Sequence, residues 1–407
     1  MKKIFYSFLA GLTLIVSVLA CSLPPVGNNQ SSGDQVSTIV AATLQALTPS
    51  APKSGETPVA APAGLLLRPL YFLNNDRSGN AQVYRLDTDG KTLHQVTFEP
   101  ASVRSYDVSQ TNGSVIYVSN HQLLLVNGDG SNRQVLLDGG PVDQTNPFGT
   151  TISNPVFSPN AQTIAYGYKG LNLYTVSGGT SSLVLTQEAG PGGGIPGKTY
   201  APKKYSSDGG KLLISIIIPN SDGSSTGIYN AANNAVIPLT GDGARLCCSE
   251  QAWTSDGSGL FSASALFGFF ASGMWKLDPA TGNSTTLIPT EAGGGNYNLA
   301  AYPYLAPDDQ LYYFFASQPA PDGIINDPPL QIVRSAADGV TGRTVLRPET
   351  FTNLNEALWS PDASFVLLQQ SPDAPGYEGG AIELDYTDAA RGNISLLPFA
   401  WQLKWGP

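Results

Sequence analysis

Trp359-Ser360-Pro361-Asp362 and Phe157-Ser158-Pro159-Asn160 are the clearest copies of one motif: an aromatic or aliphatic residue, a small residue, then a turn leading into an apolar strand. Further copies are Val108-Ser109-Gln110-Thr111-Asn112-Gly113, Tyr205-Ser206-Ser207-Asp208-Gly209, Trp253-Thr254-Ser255-Asp256-Gly257 and Leu305-Ala306-Pro307-Asp308. The small residue falls at 109, 158, 206, 254, 306 and 360, so successive copies lie 49, 48, 48, 52 and 54 residues apart. Self-similarity at a near-constant period marks an array of equivalent supersecondary units.

Each copy leads into a strand, as in VIYV at 115 to 118, TIAYGY at 163 to 168 and LLISIII at 212 to 218. A second strand, a polar hairpin and a third strand follow, the pattern of short apolar runs divided by turn clusters. The hairpins carry Asp89-Gly90, Asp129-Gly130, Gly178-Gly179, Gly282-Asn283 and Asp338-Gly339, residues that tolerate the positive φ of tight turns. Four strands per period predict an all-β chain, a β-propeller of four-stranded blades. The first unit, Leu65 to Phe98, shows only three strands and lacks the innermost, motif-bearing one. Trp405-Gly406-Pro407, with its Trp 46 residues after Trp359, looks like the start of another copy and is expected to supply that strand. Closure by the C-terminal strand removes the free edges of an open ring. The expected count is seven blades, with six or eight as alternatives.

Over residues 65 to 407 these repeats resemble the WD40-like repeats of TolB-type propellers, whose signature is close to F/W-S-P-D-G followed by an apolar strand. The resemblance implies the fold and not one activity, because unrelated functions share propellers. Only a linker-like stretch lies upstream, with no counterpart of the α/β domain of TolB itself, so a role in a Tol-Pal assembly is not expected.

Composition agrees. The 407 residues include 44 glycines and 31 prolines, too many turn formers for a long helical protein. Charged residues make up 13% and apolar residues 41%, which excludes disorder for most of the chain. A net charge of −10 repels phosphate backbones, so nucleic acid is excluded as an expected partner.

At the N-terminus, Lys2 and Lys3 precede an apolar run from Ile4 to Ala20, the length and polarity of a secretory signal. The run ends in Val18-Leu19-Ala20-Cys21, which resembles the lipobox of bacterial lipoproteins, with Leu19 where Ala, Ser or Thr is commoner. The resemblance implies a signal peptide over 1–20, lipidation at Cys21, and an extracytoplasmic location on the cell membrane or outer membrane. Residues 21–64 read as a Pro/Ala/Ser/Thr-rich tether, in which Val36 to Leu47 is a short amphipathic segment stopped by Pro49 and Pro52.

In a propeller the innermost strands line the channel, and the loops entering them ring one mouth. Those loops are expected at 99–104, 138–153, 187–201, 241–250, 291–302, 348–356 and 398–402. Near the start of the innermost strands stand Arg104, Asn154, Glu250, Tyr302 and Glu356, the candidate ligand-binding residues of that mouth. Cys247-Cys248 is read either as a vicinal disulfide, a rigid plate beside the mouth, or as a pair of thiols. Vicinal disulfides resembling it occur in quinone-dependent alcohol dehydrogenases, but their tryptophan-docking repeat is missing and no cofactor is expected.

Two strings are declined. Gly192 to Thr199 matches the phosphate-cradling G-x-x-x-x-G-K-T, yet Pro202 follows at once and a helix N-terminus is needed to meet the phosphates, so no nucleotide is expected. Gly223 to Gly227 matches G-x-S-x-G within a hairpin instead of a strand-to-helix elbow. With only His94 and His121 and no zinc-spaced cysteine pair, no metal site is expected. The favoured function is a lipid-anchored platform that binds a protein or glycan of the cell envelope. The alternative is an enzyme, a lyase or hydrolase using carboxylates such as Glu250 and Glu356. Converging carboxylates in a deep mouth favour the second, and an apolar rim of Phe148, Ile195, Tyr200, Tyr297 and Phe399 favours the first.

Overall fold

The structure is a computed structural model that describes residues 64–190, 195–219, 221, 224–245, 250–266, 270–319, 328–370 and 379–407. The signal and tether, Cys21 and Cys247-Cys248 lie outside the described residues.

Antiparallel strands in sequential order form each sheet. The first four-stranded sheet is β4 (Val103–Val108), β5 (Val115–Ser119), β6 (Gln122–Val126) and β7 (Gln134–Asp138). After α1 (Pro147–Thr150) come β8 (Ser153–Phe157), β9 (Thr163–Gly167), β10 (Gly170–Thr175) and β11 (Thr180–Thr186). The third is β12 (Thr199–Tyr205), β13 (Lys211–Ile217), β14 (Ser225–Asn230) and β15 (Ala235–Pro238). The fourth is β16 (Glu250–Trp253), β17 (Leu260–Ser264), β18 (Gly273–Leu277) and β19 (Ser284–Ile288). The fifth has β20 (Glu291–Gly293), β21 (Asn296–Leu305), β22 (Gln310–Pro319), β23 (Gln331–Ala336) and β24 (Thr344–Val345).

The last sheet joins the two ends of the domain. It runs β25 (Leu354–Trp359), β26 (Phe365–Gln370), β27 (Gly380–Tyr386) and β28 (Ile394–Trp405), then β1 (Leu70–Asn75), β2 (Ala81–Leu86) and β3 (Leu93–Gln95). Strand β28 is shared: Ile394 to Ala400 pair with β27, and Trp401 to Trp405 pair with β1. The missing innermost strand of the first unit is therefore 401–405, as the terminal Trp-Gly-Pro suggests.

The core lies between sheets, because most strands bury both faces. On β5, Val115 and Tyr117 pack toward Tyr71 and Val83, while Ile116 and Val118 pack toward Ile152 and Phe157. On β26, Val366 and Leu368 meet Phe314 and Ile332, and Phe365 and Leu367 meet Leu70 and Phe72. Successive side chains point to opposite faces, so strands buried on both sides read as continuous apolar runs.

The motif itself is a hydrogen-bonded turn. Ser206 Oγ donates to Asp208 Oδ1 at 2.6 Å and accepts the amide of Lys211, the first residue of β13, at 3.0 Å. Thr254 with Asp256 and Gly259, and Ser360 with Asp362 and Phe365, repeat the arrangement. Ser206 and Ser360 are fully buried, so the small hydroxyl satisfies a buried backbone donor that has no strand partner.

Gly170, at φ +128°, opens β10 opposite the end of β11, where an added Cβ falls 1.9 Å from the Leu185 carbonyl oxygen. Gly273, at φ +120°, repeats the arrangement against Ile288 in the fourth sheet. Only a residue without a side chain fits there.

Candidate functional site

All candidate mouth residues in the described part sit on innermost strands, and all but Glu250, whose strand β16 pairs with β17 in unbroken register, lie at a β-bulge. The pairing of these strands shifts register at Val103/Ser105, Ser153/Val156, Pro202/Lys204, Ala301/Tyr304 and Leu354/Glu356. At the bulge Asn154, Tyr302 and Gln402 take left-handed backbone, with φ of 47°, 49° and 53°. A tyrosine in that region is uncommon and persists only where its surroundings hold it.

Tyr302 is held at both backbone groups. Its amide donates to the Glu250 carboxylate, and its carbonyl accepts the indole N–H of Trp359 at 2.8 Å. Gln402 is held in the same way two junctions later. Glu356 accepts the amides of Gln402 and Leu403, the latter at 2.6 Å, and the Gln402 carbonyl accepts the Tyr106 hydroxyl. Each glutamate stands four residues before its own motif's small residue and clips the bulge of the next innermost strand. Aromatic donors add to these clips: Trp253 Nε1 donates to the Lys204 carbonyl at 3.1 Å between β16 and β12, and Trp405 Nε1 to the Trp359 carbonyl at 2.7 Å at the same junction as Glu356.

The clips lie in a poorly hydrated place. Burial pushes the Glu250 and Glu356 carboxyls up to about 7, against the lowering effect of the amides they accept. Burial also raises the Tyr302 phenol, and both glutamates raise it further. Glu250, Glu356 and Tyr302 are thus one electrostatic group. Glu250 Oε2 is buried with no hydrogen-bond partner among the described residues.

Arg104 and Asn154 are exposed and take no part in the hydrogen bonds of these carboxylates. The expected loop 291–302 is a hairpin of β20 and β21, and 398–402 lies within β28. In both places strand pairing extends farther toward the mouth than the turn-like Gly and Pro content implies. Of the expected apolar rim, Phe148 is 51% and Ile195 39% exposed, while Tyr200, Tyr297 and Phe399 are half-buried. The phosphate-loop string ends in Thr199, the first residue of strand β12, and Lys198 pairs with Glu188 at 2.7 Å.

Sequence reasoning passed over a second set two residues before the small motif residue: Asp107, Lys204 and Lys404. Lys404 Nζ donates to Asp107 Oδ1 at 2.8 Å, and Asp107 Oδ2 accepts the Phe157 amide at 2.8 Å. Burial lowers the Lys204 ammonium, Lys404 lowers it further, and Asp107 opposes both. Their shared register in the repeat is the signal that could have found them.

Among solved structures, an oligogalacturonate lyase from Vibrio parahaemolyticus is similar over 81% of this chain and 86% of that one, with 12% identity and a TM-score of 0.50. TolB from Acinetobacter baumannii is similar over 82% and 79%, with 15% identity and a TM-score of 0.40. A putative TolB from Agrobacterium tumefaciens is similar over 75% and 99%, with 17% identity and a TM-score of 0.40. No protein-family model and no curated protein matches the chain. At such identities the likeness is one of fold alone: the chain is a β-propeller of four-stranded antiparallel sheets.

Proposed function

We propose that this chain is a seven-bladed propeller, tethered by a lipid on Cys21 to the extracytoplasmic side of a membrane, whose mouth face binds a protein or glycan of the cell envelope. The observation that carries the reading is the division of labour at the mouth. The carboxylates nearest to a catalytic arrangement bind backbone amides of the next strand, while the loops before β8 and β12 present Phe148 and Ile195 to solvent. Exposed apolar side chains beside a polar rim suit recognition of another macromolecule.

The second reading is an enzyme with its site at the same mouth. It is favoured by two carboxyls poised near neutrality that both act on the Tyr302 phenol, the range in which acid–base groups work.

Crosslinking in intact native cells, then recovery through a C-terminal tag and mass spectrometry, tests the platform. The expected result is an envelope protein joined through the loop carrying Phe148 or Ile195, with membrane attachment lost in Cys21→Ser. Crosslinks spread evenly over the ring, or none in repeated trials, would overturn it.

A further inference from the structure

A histidine stands where a tight turn favours glycine. Strands β5 and β6 are joined by a two-residue hairpin, in which Ser119 pairs with Gln122 and Asn120 and His121 lie between them at φ of 45° and 58°. Such a turn needs left-handed backbone at both positions and prefers Asn-Gly, so His121 adopts a conformation that its side chain disfavours. Backbone of this kind persists only where its surroundings hold it, and it gathers at ligand clamps.

Here the surroundings fix the imidazole. Its Nδ1 donates to the Gly140 carbonyl at 2.6 Å, and the Gly139 amide donates to the His121 carbonyl at 3.0 Å. A Cβ on Gly139 would fall 2.5 Å from the ring, so only glycine fits beside it. Tyr168 packs edge-on against the ring, with centroids 6.0 Å apart. A carbonyl can only accept, so Nδ1 carries the proton and Nε2 of the neutral ring presents a lone pair. That Nε2 is buried with no hydrogen-bond partner among the described residues.

Direct contacts lead from there to a second acceptor of the same kind. The Lys169 amide donates to the Gly149 carbonyl at 2.6 Å, and the Lys169 carbonyl accepts the Gln187 amide at 3.2 Å. Gln187 Oε1 lies against Gly149, where an added Cβ would overlap it, and it too is buried without a partner among the described residues. Next to Gly149, the Phe148 ring is exposed. The exposed Lys169 lies with its ammonium 5.1 Å from the Tyr168 centroid.

These residues share one face. His121 is in the β5–β6 hairpin, Tyr168 and Lys169 in the β9–β10 hairpin, and Phe148 and Gln187 in the loops before β8 and β12. The motif turns join β4 to β5 and β8 to β9 at the opposite end of the strands, which puts the whole cluster on the mouth side.

We propose that this cluster is a subsite for one sugar residue of a neutral glycan. The inference rests on the mouth face being a recognition surface, and it narrows the partner of that face from protein or glycan to glycan. Unmet acceptors select a ligand that donates, as hydroxyl groups do, and an exposed aromatic ring offers an apolar face for the C–H side of the sugar. Asp138 at the end of β7, Asp143 in the loop after it and a net charge of −10 work against an anionic ligand. Both acceptors belong to side chains that reach the surface. Swinging the Lys169 stem off the Tyr168 ring opens the cluster without breaking a strand.

The test is read at the imidazole. His94 and His121 are the two histidines of the chain, so long-range proton–nitrogen spectra of the full-length protein in detergent give two sets of ring signals, told apart with His94→Gln. The probes are cellohexaose, maltohexaose and chitohexaose, each titrated to about 10 mM, above the Kd of a weak single subsite. At least one is expected to move the His121 Nε2 signal saturably and leave that of His94 in place. Phe148→Ala, a change at an exposed side chain, is expected to weaken that saccharide about tenfold through loss of the aromatic contact.

No saturable shift at His121 with any of the three saccharides would overturn the subsite, and so would a shift undiminished in Phe148→Ala. If the shift is missing while crosslinking in cells still joins an envelope protein through the Phe148 loop, the mouth face binds protein and only this inference fails. If both are missing, the broader reading of the mouth face fails with it.

Discussion

The backbone amide of Leu403 donates to Glu356 Oε1 at 2.6 Å, which ties the last motif-bearing strand to the C-terminal strand that pairs with β1. Glu250 does the same for the amide of Tyr302 two junctions earlier. The carboxylates that look most like acid–base residues in the sequence thus work as clips between neighbouring innermost strands.

Glu356→Ala removes the acceptor of a buried amide and is expected to destabilise the propeller by about 1–3 kcal/mol. Glu356→Gln keeps an acceptor oxygen and is expected to lose far less at acidic pH. Urea unfolding of the two variants separates the cases, and equal losses at pH 5, where the wild-type carboxyl is itself protonated, would show that the acceptor oxygen does not hold the amide.

Acid stability follows from the same burial. Glu250 and Glu356 are held near 7, against an ordinary value of 4.5, and Asp385 near 6 against 3.8. Between the ordinary values and the raised ones the folded chain holds protons that the unfolded chain has released. Stability from these groups therefore falls as pH rises through that window and levels off above about 7. Tm is expected to be higher at pH 5 than at pH 8, with the gap narrowed in the double variant Glu250→Gln/Glu356→Gln. A Tm that rises steadily from pH 5 to pH 8 would contradict the burial of these carboxyls.

Ring closure can be weakened without removing a strand. Trp405 Nε1 donates to the Trp359 carbonyl at 2.7 Å, and its ring packs edge-on against Phe365. Trp405→Phe keeps the ring and drops the donor, with an expected cost of about 1 kcal/mol. Deleting 401–407 exposes the β1 edge and is expected to produce aggregation on light scattering. A monomeric truncation as stable as the full chain would refute closure through β28.

Gly170→Ala places a methyl carbon within the contact distance of a backbone carbonyl oxygen, at a φ of +128° that L residues rarely adopt. Neither strain is relieved by a rotamer change, so the expected loss is about 3 kcal/mol. Gly140→Ala, at φ +64° with open space around it, serves as the control, and differential scanning calorimetry is expected to show it as the milder change.

Glu99 is buried and accepts two bonds from Arg133, at 2.6 and 3.0 Å, and one from the Tyr117 hydroxyl at 2.7 Å. Arg133→Ala leaves that carboxylate with the phenol alone. Because the Arg133 side chain is 46% exposed, water screens the pair. The expected cost is about 1–3 kcal/mol, below that of breaking a fully buried ion pair. Chemical denaturation measures it, and Arg133→Ala/Glu99→Gln is expected to recover part of the loss.

The amino-acid sequence by itself determined the strand pattern, the repeat and the closing strand, because these rest on local chemistry. A buried hydroxyl that accepts an amide five residues on, as Ser206 does from Lys211, needs only its own turn. An apolar run such as Leu212 to Ile216 declares burial on both faces without reference to what covers them. The sequence also marked Glu250, Tyr302 and Glu356 as equivalent positions, and left Asp107, Lys204 and Lys404 unremarked. Only the tertiary structure decided what these residues do. Position in a repeat says which strand carries a side chain, whereas partners, burial and charge depend on which strands the ring brings together. Lys404 and Asp107 are separated by 297 positions and meet at 2.8 Å because the chain closes on its own beginning.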